Sequence, residues 1–277
     1  MKRDGHTHSH FCNHASGEET EALIQRAIQL GFTMYSITEH MPLPESWLAR
    51  SPYTEEWKES LRIRGNDFDA YIREMQKLKH KYADRIQILV GSEIDYLPDQ
   101  LDYTRAVLRE YGPYFEDSLL SVHHLQGKDG WRAVDHDPED FQDGLIDFYG
   151  SYENVQLEYY RVLKESMMIG MGPYKPKRIS HLTLANKFQC FFKMDIPPQK
   201  HLQEVILDIL QYMKEHGFSI DVNTAGLYRE HCREVYPSPW IIKRARQLGI
   251  PMIYGSDSHA VADVGRAYAE YEILCVK

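Results

Sequence analysis

Several things this sequence lacks narrow its identity first. No apolar run approaches the roughly 20 residues needed to cross a bilayer. The opening, MKRDGHTHSHFCNH, has no apolar stretch of the kind that drives secretion, so the expectation is a cytoplasmic protein with no membrane partner. Cysteine is sparse. Cys12, Cys190, Cys232 and Cys275 show no CxxC spacing, which argues against a disulfide framework and for reduced thiols. Positive charge is also in deficit: 32 Lys and Arg against 41 Asp and Glu leave a net charge of −9. A general nucleic-acid or anionic-membrane surface is disfavoured on that balance. No repeat, low-complexity tract or evident linker interrupts the chain, so residues 1–277 read as a single domain.

Histidine is what the chain has in excess, with 14 residues. Their positions matter more than their number. Ser16-Gly-Glu-Glu19 has the form of a capping box opening a helix that Gly31 would end. Phe32 to Thr38 then reads as a buried strand. An amphipathic helix over 67–83 precedes the apolar run Ile86 to Val90. Ser118 to Val122 and Arg178 to Ser180 are short strand candidates, with one long helix over 139–168 between them. Helices over 201–216 and 238–248 precede Phe218 to Val222 and Pro251 to Tyr254. Such alternation predicts a mostly parallel sheet.

Polar residues punctuate the ends of these strands. His6 and His8 open the chain, Glu39-His40 and Gly91-Ser92-Glu93 close the next two strands, and His123-His124, His181 and Asn223 follow. Asp257-Ser-His259 closes the last. In a (β/α) barrel the C-terminal rim of the strands is where active sites are built. His6 and His8 are two residues apart, so on an extended chain both rings leave one face and can hold one ion; Asp257 and His259 repeat the spacing. A lone His181 would read as a hydrogen-bonded core histidine. The set reads as a metal site, because burying many unpaired imidazoles without an ion is costly.

These motifs resemble the PHP (polymerase and histidinol phosphatase) family of metallohydrolases. Asp4-Gly5-His6-Thr7-His8, with His14 beyond it, is similar to the family's Asp-x-His-x-His. Ile37-Thr38-Glu39-His40, Gly91-Ser92-Glu93 and Gly255-Ser256-Asp257-Ser258-His259 resemble later motifs, and His123 and His181 fall where the family has its intermediate histidines. The similarity thus runs from residue 4 to 259. Gly5 stands where an apolar residue is more usual, Glu39 replaces the commoner Asp, and Leu182 stands where Pro often follows. EIDYLP (93–98), LEYYRVL (157–163) and NTAGLYRE (223–230) look most like the stand-alone histidinol-phosphate phosphatases of the family.

The resemblance implies an α/β fold, a distorted seven-stranded (β/α)7 TIM-like barrel of the PHP type, with three clustered divalent transition-metal ions. His6, His8, Glu93 and Asp257 would hold the first. His14, His40 and His259 would hold the second, and Glu93, as a bridge, with His123 and His181 the third. Three ions at about four ligands each want roughly twelve positions. Nine side chains with Glu93 shared leave positions open for a bridging hydroxide and a substrate oxygen, the mark of a catalytic site. Mixed imidazole and carboxylate ligation suits Zn, Mn or Fe. Three divalent ions less two carboxylates give about +4 locally, enough to draw a phosphate into an acidic protein.

The implied activity is hydrolysis of a small phosphomonoester, with L-histidinol phosphate as the expected substrate and histidine biosynthesis as its setting. Asp257 is the candidate for proton transfer, with ligation alone as the other reading. Arg161 either reaches the phosphate or forms surface ion pairs with Glu158 and Glu165. Arg229 is a second candidate for the phosphate. His124 and His136 read as solvated or locally bonded. Two rival functions remain at this level. A PHP-type nucleotidase or exonuclease would use the same metals, though a polymer should demand a basic track, and only short pieces such as Lys175 to Arg178 exist. A non-catalytic metal-stabilised PHP module should have lost ligands, and none is lost.

Overall fold

The apolar runs do become strands, and the strands close into a barrel. A computed structural model describes residues 1–276 except 64, 66 and 195–197. The strands are β1 (Arg3–Asp4), β2 (Met34–His40), β3 (Gln87–Asp95), β4 (Leu119–Ser121), β5 (His124–Gly127), β6 (Gly130–Ala133), β7 (Arg178–Ile179), β8 (Ser219–Asn223) and β9 (Met252–Gly255). Seven of them form one parallel sheet in the order β1-β2-β3-β4-β7-β8-β9, while β5 and β6 form a separate antiparallel hairpin. The sheet's two edges meet. Gly5 N–H donates to Tyr254 O at 2.8 Å, Asp257 N–H to His6 O at 2.8 Å and His8 N–H to Ser258 O at 3.0 Å. The architecture is therefore a nearly closed seven-stranded parallel barrel flanked by helices, as expected.

Around it lie α1 (Thr20–Gln29), α2 (Glu45–Leu48), α3 (Glu55–Leu61), α4 (Phe68–Lys81), α5 (Leu101–Tyr111), α6 (Pro138–Phe141), α7 (Asp147–Tyr149), α8 (Tyr152–Met168), α9 (Lys200–His216), α10 (Pro239–Leu248) and α11 (Tyr268–Tyr271). Helical spacing sets which face packs inward. In α4, Phe68, Tyr71, Ile72, Met75 and Leu78 are buried, and the Asp67 side chain caps its start by accepting from Ala70 N–H at 2.7 Å. Among the described residues no helix is long and apolar enough to cross a membrane.

Three expectations need correction. The helix over 139–168 is broken: a π-turn spans Gln142–Ile146, Gly150 takes a left-handed φ of 86°, and α8 restarts with Ser151 accepting from Asn154 N–H at 3.1 Å. The capping box at Ser16 does not form. Its hydroxyl bonds the Glu18 carboxylate instead, and α1 begins only at Thr20. The second strand begins at Met34 rather than Phe32, and it closes on Glu39 and His40 as expected, its backbone paired with β3 up to His40 opposite Glu93.

Gly5 has a physical reason to be glycine. A Cβ there would lie 2.3 Å from a terminal nitrogen of Arg178 and 2.6 Å from the Ile253 side chain. The buried Arg178 guanidinium fills that space, donating to Gly5 O at 2.6 Å and to Asp117 at 2.8 Å. An arginine with its carboxylate partner thus occupies the position an apolar side chain would take.

Candidate metal centre

Parallel strands deliver their last residues to one rim, and that is where the histidines gather. His6 and His8 follow β1, His40 ends β2, Glu93 sits late in β3, and His123 and His181 follow β4 and β7. Asp257 and His259 follow β9. His6, His8, Glu93 and His181 are buried, while Asp257 keeps 17% of its side-chain surface open.

Glu93 lies at the middle and its two oxygens face different partners. Oε2 is 3.2 Å from His6 Nε2, 3.6 Å from His8 Nε2 and 3.4 Å from His40 Nδ1. Oε1 is 2.9 Å from His181 Nε2 and 3.5 Å from His123 Nε2, and it accepts from Ser121 Oγ at 2.6 Å and Ser180 Oγ at 2.9 Å. Asp257 Oδ1 completes the first group, 3.2 Å from His8 Nε2 and 3.7 Å from His6 Nε2. His123 and His181 bring their Nε2 atoms to 3.1 Å, and His14 and His259 do the same at 3.1 Å. Ligands about 2.0–2.2 Å from a tetrahedral ion stand roughly 3.3 Å from one another. The spacings around Glu93 and between the paired rings scatter about that figure, from 2.9 to 3.7 Å. His8 Nε2 and His40 Nε2 are buried with no hydrogen-bond partner among the described residues. Orphaned ring nitrogens aimed into a cluster of this kind fit a divalent metal ion.

The rings are held from behind by carboxylates. Asp221 Oδ2 meets His6 Nδ1 at 2.8 Å, Asp95 Oδ1 meets His123 Nδ1 at 2.5 Å and Glu39 Oε1 lies 3.4 Å from His8 Nδ1. His14 Nδ1 donates to Ser60 O at 3.0 Å and His259 Nδ1 to Asp257 O at 3.1 Å. Such partners fix the ring orientation and leave the other nitrogen free to coordinate. Asn223 Nδ2 donates to Asp257 Oδ2 at 3.2 Å. Asp257 itself adopts a left-handed φ of 52°, backbone strain of the kind that concentrates at functional sites. Gly255 lets these groups converge, since a Cβ there would lie 2.2 Å from Asp221 Oδ1 and 2.8 Å from His6 Cβ.

The carboxylates and imidazoles of the cluster shift one another's titration. Burial opposes the charged form of Glu93, yet His6 and His123 hold its carboxyl well below the usual range. Burial likewise works against Asp257, and His6 and His8 overcome it and keep it ionised. His8 is pushed up to about 9 and His123 to about 10, because Asp257 and Glu39 around the one, and Asp95 and Glu93 around the other, outweigh burial. His40 is lowered to about 3 by burial and by His8, and His259 is lowered for the same reasons. His6 is raised well above its usual value, Glu93, Asp221 and Asp257 outweighing burial.

The centre opens into a cavity of about 520 Å³ lined also by Lys187, Arg229, Tyr236 and Arg266. Arg229 is exposed at its mouth, and its side chain has no hydrogen-bond or ion-pair partner among the described residues. Arg161 is elsewhere. It lies on the outer face of α8, with 59% of its side chain exposed, donating to Glu158 at 2.7 and 2.8 Å and to Glu165 at 2.7 Å. The structure thus places Arg161 outside the lining of the metal cavity and in the ion pairs that were its other reading. Sequence reasoning missed Asp221, Asp95, Lys187 and Arg266. An Asp inside the apolar run FSIDVN, and another two residues after Glu93, were the available signals for the first two. It also passed over Cys12, whose sulfur shares a cluster with His8, His40 and His259, although burial pushes that thiol well up.

Comparison with known proteins agrees with this geometry. The PHP domain profile matches residues 4–225 and a PHP-associated profile matches 241–273. The second segment supplies Asp257 and His259. Histidinol-phosphatase of Bacillus subtilis is 35% identical over 275 residues, covering 99% of this chain and 100% of that protein. A crystal structure from Listeria monocytogenes, described as a candidate histidinol phosphatase, superposes with a TM-score of 0.95 at 40% identity, covering 98% of this chain and 100% of that one. The fold also matches a histidinol phosphate phosphatase of Lactococcus lactis, solved with Zn, L-histidinol and phosphate, with a TM-score of 0.70 at 17% identity, covering 99% and 93%.

Proposed function

The chain belongs to the PHP domain family, and from that premise we propose that it is a histidinol-phosphatase, a metal-dependent enzyme that hydrolyses L-histidinol phosphate to L-histidinol and phosphate. The observation that carries this is the split of Glu93 between two sets of imidazoles, with its oxygens 3.2 Å from His6 and 2.9 Å from His181. A carboxylate placed this way could serve ions on both of its sides. Relatives matched over their full length carry the same activity in their names.

His6, His8, Glu93 and Asp257 would hold one divalent ion, His14, His40 and His259 a second, and Glu93, His123 and His181 a third. The donor set suits Zn, Mn or Fe. When bound, the ions supply Lewis acidity, activating water and offsetting the charge of the phosphoryl group. Arg229, free at the cavity mouth, is placed to donate to phosphate oxygens as a planar fork. Asp257 is held ionised, so it suits proton acceptance from the attacking water while Asn223 fixes its other oxygen. Residues 1–277 act as one domain in this reading, because β1 and β9 close the same barrel.

Initial rates on a phosphomonoester panel, with Mn and Zn compared, test the assignment. L-histidinol phosphate should exceed nucleotides and sugar phosphates in kcat/KM by orders of magnitude, since binding of the remote group is spent on the transition state. Equal rates across the panel would remove the substrate assignment and leave a general phosphatase.

A further inference from the structure

A second pocket of about 220 Å³ opens beside the metal cavity and shares His14, His40, His123 and Asp135 with it. Its character is different. Trp57 and Leu61 from α3 line it with His124 and His136 from around the hairpin β5–β6. Trp57 packs on Tyr53 with ring centroids 3.9 Å apart and on His136 at 5.2 Å. This aromatic group is anchored: Tyr53 OH accepts from Ala133 N–H at 2.9 Å and donates to Asp140 at 2.6 Å. His124 is buried at 3% exposure with its ring edge against Trp47 at 4.6 Å, and neither ring nitrogen has a partner among the described residues. An imidazole built into a pocket wall with both nitrogens unused points to a ligand that hydrogen-bonds. Asp135 stands where the two cavities meet, with Lys187 Nζ 3.7 Å from its carboxylate.

We propose that this pocket selects the leaving alcohol of the phosphomonoester, Asp135 taking an ammonium group next to the ester carbon and Trp57 with His124 taking a flat heteroaromatic ring beyond it. The inference rests on the proposed histidinol-phosphatase activity and assigns the residues that make it specific. The order of the groups follows the substrate's chain. With the phosphate at the metal ligands, the ammonium would be carried on the second carbon along and the ring would come last. Asp135 precedes the aromatic pocket along the same path. A cation favours the carboxylate, and a ring carrying a donor and an acceptor can pair with one unused His124 nitrogen while stacking on Trp57.

The test compares three esters: L-histidinol phosphate, its analogue without the amine, and its analogue without the ring. Each is assayed with the metal-loaded wild type, Asp135→Asn and Trp57→Ala, with Trp57→Leu as the variant that keeps bulk and with metal content and Tm recorded throughout. Asp135→Asn should cut the kcat/KM advantage conferred by the amine at least about tenfold and lower the advantage of the ring far less. The tryptophan variants should do the reverse. If the wild type favours histidinol phosphate but both variants lose activity equally on all three esters, the pocket assignment falls while the function stands. If the wild type shows no preference among the three, the histidinol-phosphatase reading and this inference fall together.

Discussion

His6 Nδ1 meets Asp221 Oδ2 at 2.8 Å, on the side of the ring facing away from Glu93. Both residues are fully buried, and this carboxylate reaches the metal centre most closely through the imidazole, ahead of His181 N–H and Asn223 Nδ2 at 3.4 Å. It sets the tautomer that leaves Nε2 free for an ion and makes that nitrogen a stronger donor. Asp221→Asn should therefore keep the barrel but weaken metal affinity by roughly 10–100-fold. Titration with a competing chelator measures it, and an unchanged affinity would reduce Asp221 to a packing role.

The pH dependence of the metal-free protein should differ in form from that of the loaded one. Unfolded imidazoles titrate near ~6.5, whereas His8 and His123 are held up at about 9 and about 10 in the fold. A base whose pKa is raised by folding gives stability that is complete below the unfolded value and lost as pH rises through the folded one. His40, lowered to about 3, acts on the acid side, where the unfolded chain takes the proton first and stability falls below ~6.5. With chelator present, Tm should decline from about pH 7 to about pH 10. Metal replaces those protons, so loaded protein should hold its Tm over that range. Parallel profiles with and without metal would contradict this.

The two arginines expected at the substrate should separate cleanly. Arg161→Met removes exposed ion pairs that are worth at most about 1 kcal/mol and should leave kcat/KM and metal content unaltered. Arg229→Met should lower kcat/KM by roughly tenfold or more, the value of about one charge-assisted hydrogen bond, with metal content intact. Steady-state kinetics on the two variants decides it; a loss for Arg161 and none for Arg229 would reverse the assignment.

Gly5→Val should destabilise the protein without touching a ligand. The new side chain would collide with the Arg178 guanidinium, 2.3 Å from the position of its Cβ. Overpacking of this kind costs about 1–3 kcal/mol, visible as a lower midpoint in urea. An unchanged midpoint would mean that the arginine moves aside freely.

Much of the site was legible in the sequence because a parallel barrel turns strand order into spatial order. His6, His8, Glu93 and Asp257 lie far apart in the chain, yet each ends or follows a strand of one sheet, so reading the strands was enough to gather them. Helix continuity was harder to read. Apolar spacing runs through 139–168 without a visible stop except Gly150, and a π-turn leaves no periodic mark. The hairpin β5–β6 was hidden because its strands are four residues each and the first starts directly after His123. Arg161 looked plausible as a ligand because spacing says which residues share a helix face but not which face meets the barrel. The supporting carboxylates Asp221 and Asp95 were visible only as polar residues inside strands, and their partners are fixed by the closed sheet.

Glu93 stands between separate ligand sets that it would join into one cluster, and metal stoichiometry tests that most directly. Elemental analysis of wild-type protein purified without chelator should give about three equivalents of divalent transition metal per chain, and Glu93→Gln should lose at least one of them. A wild-type value of one equivalent or none, or a Glu93→Gln protein with undiminished metal, would contradict it.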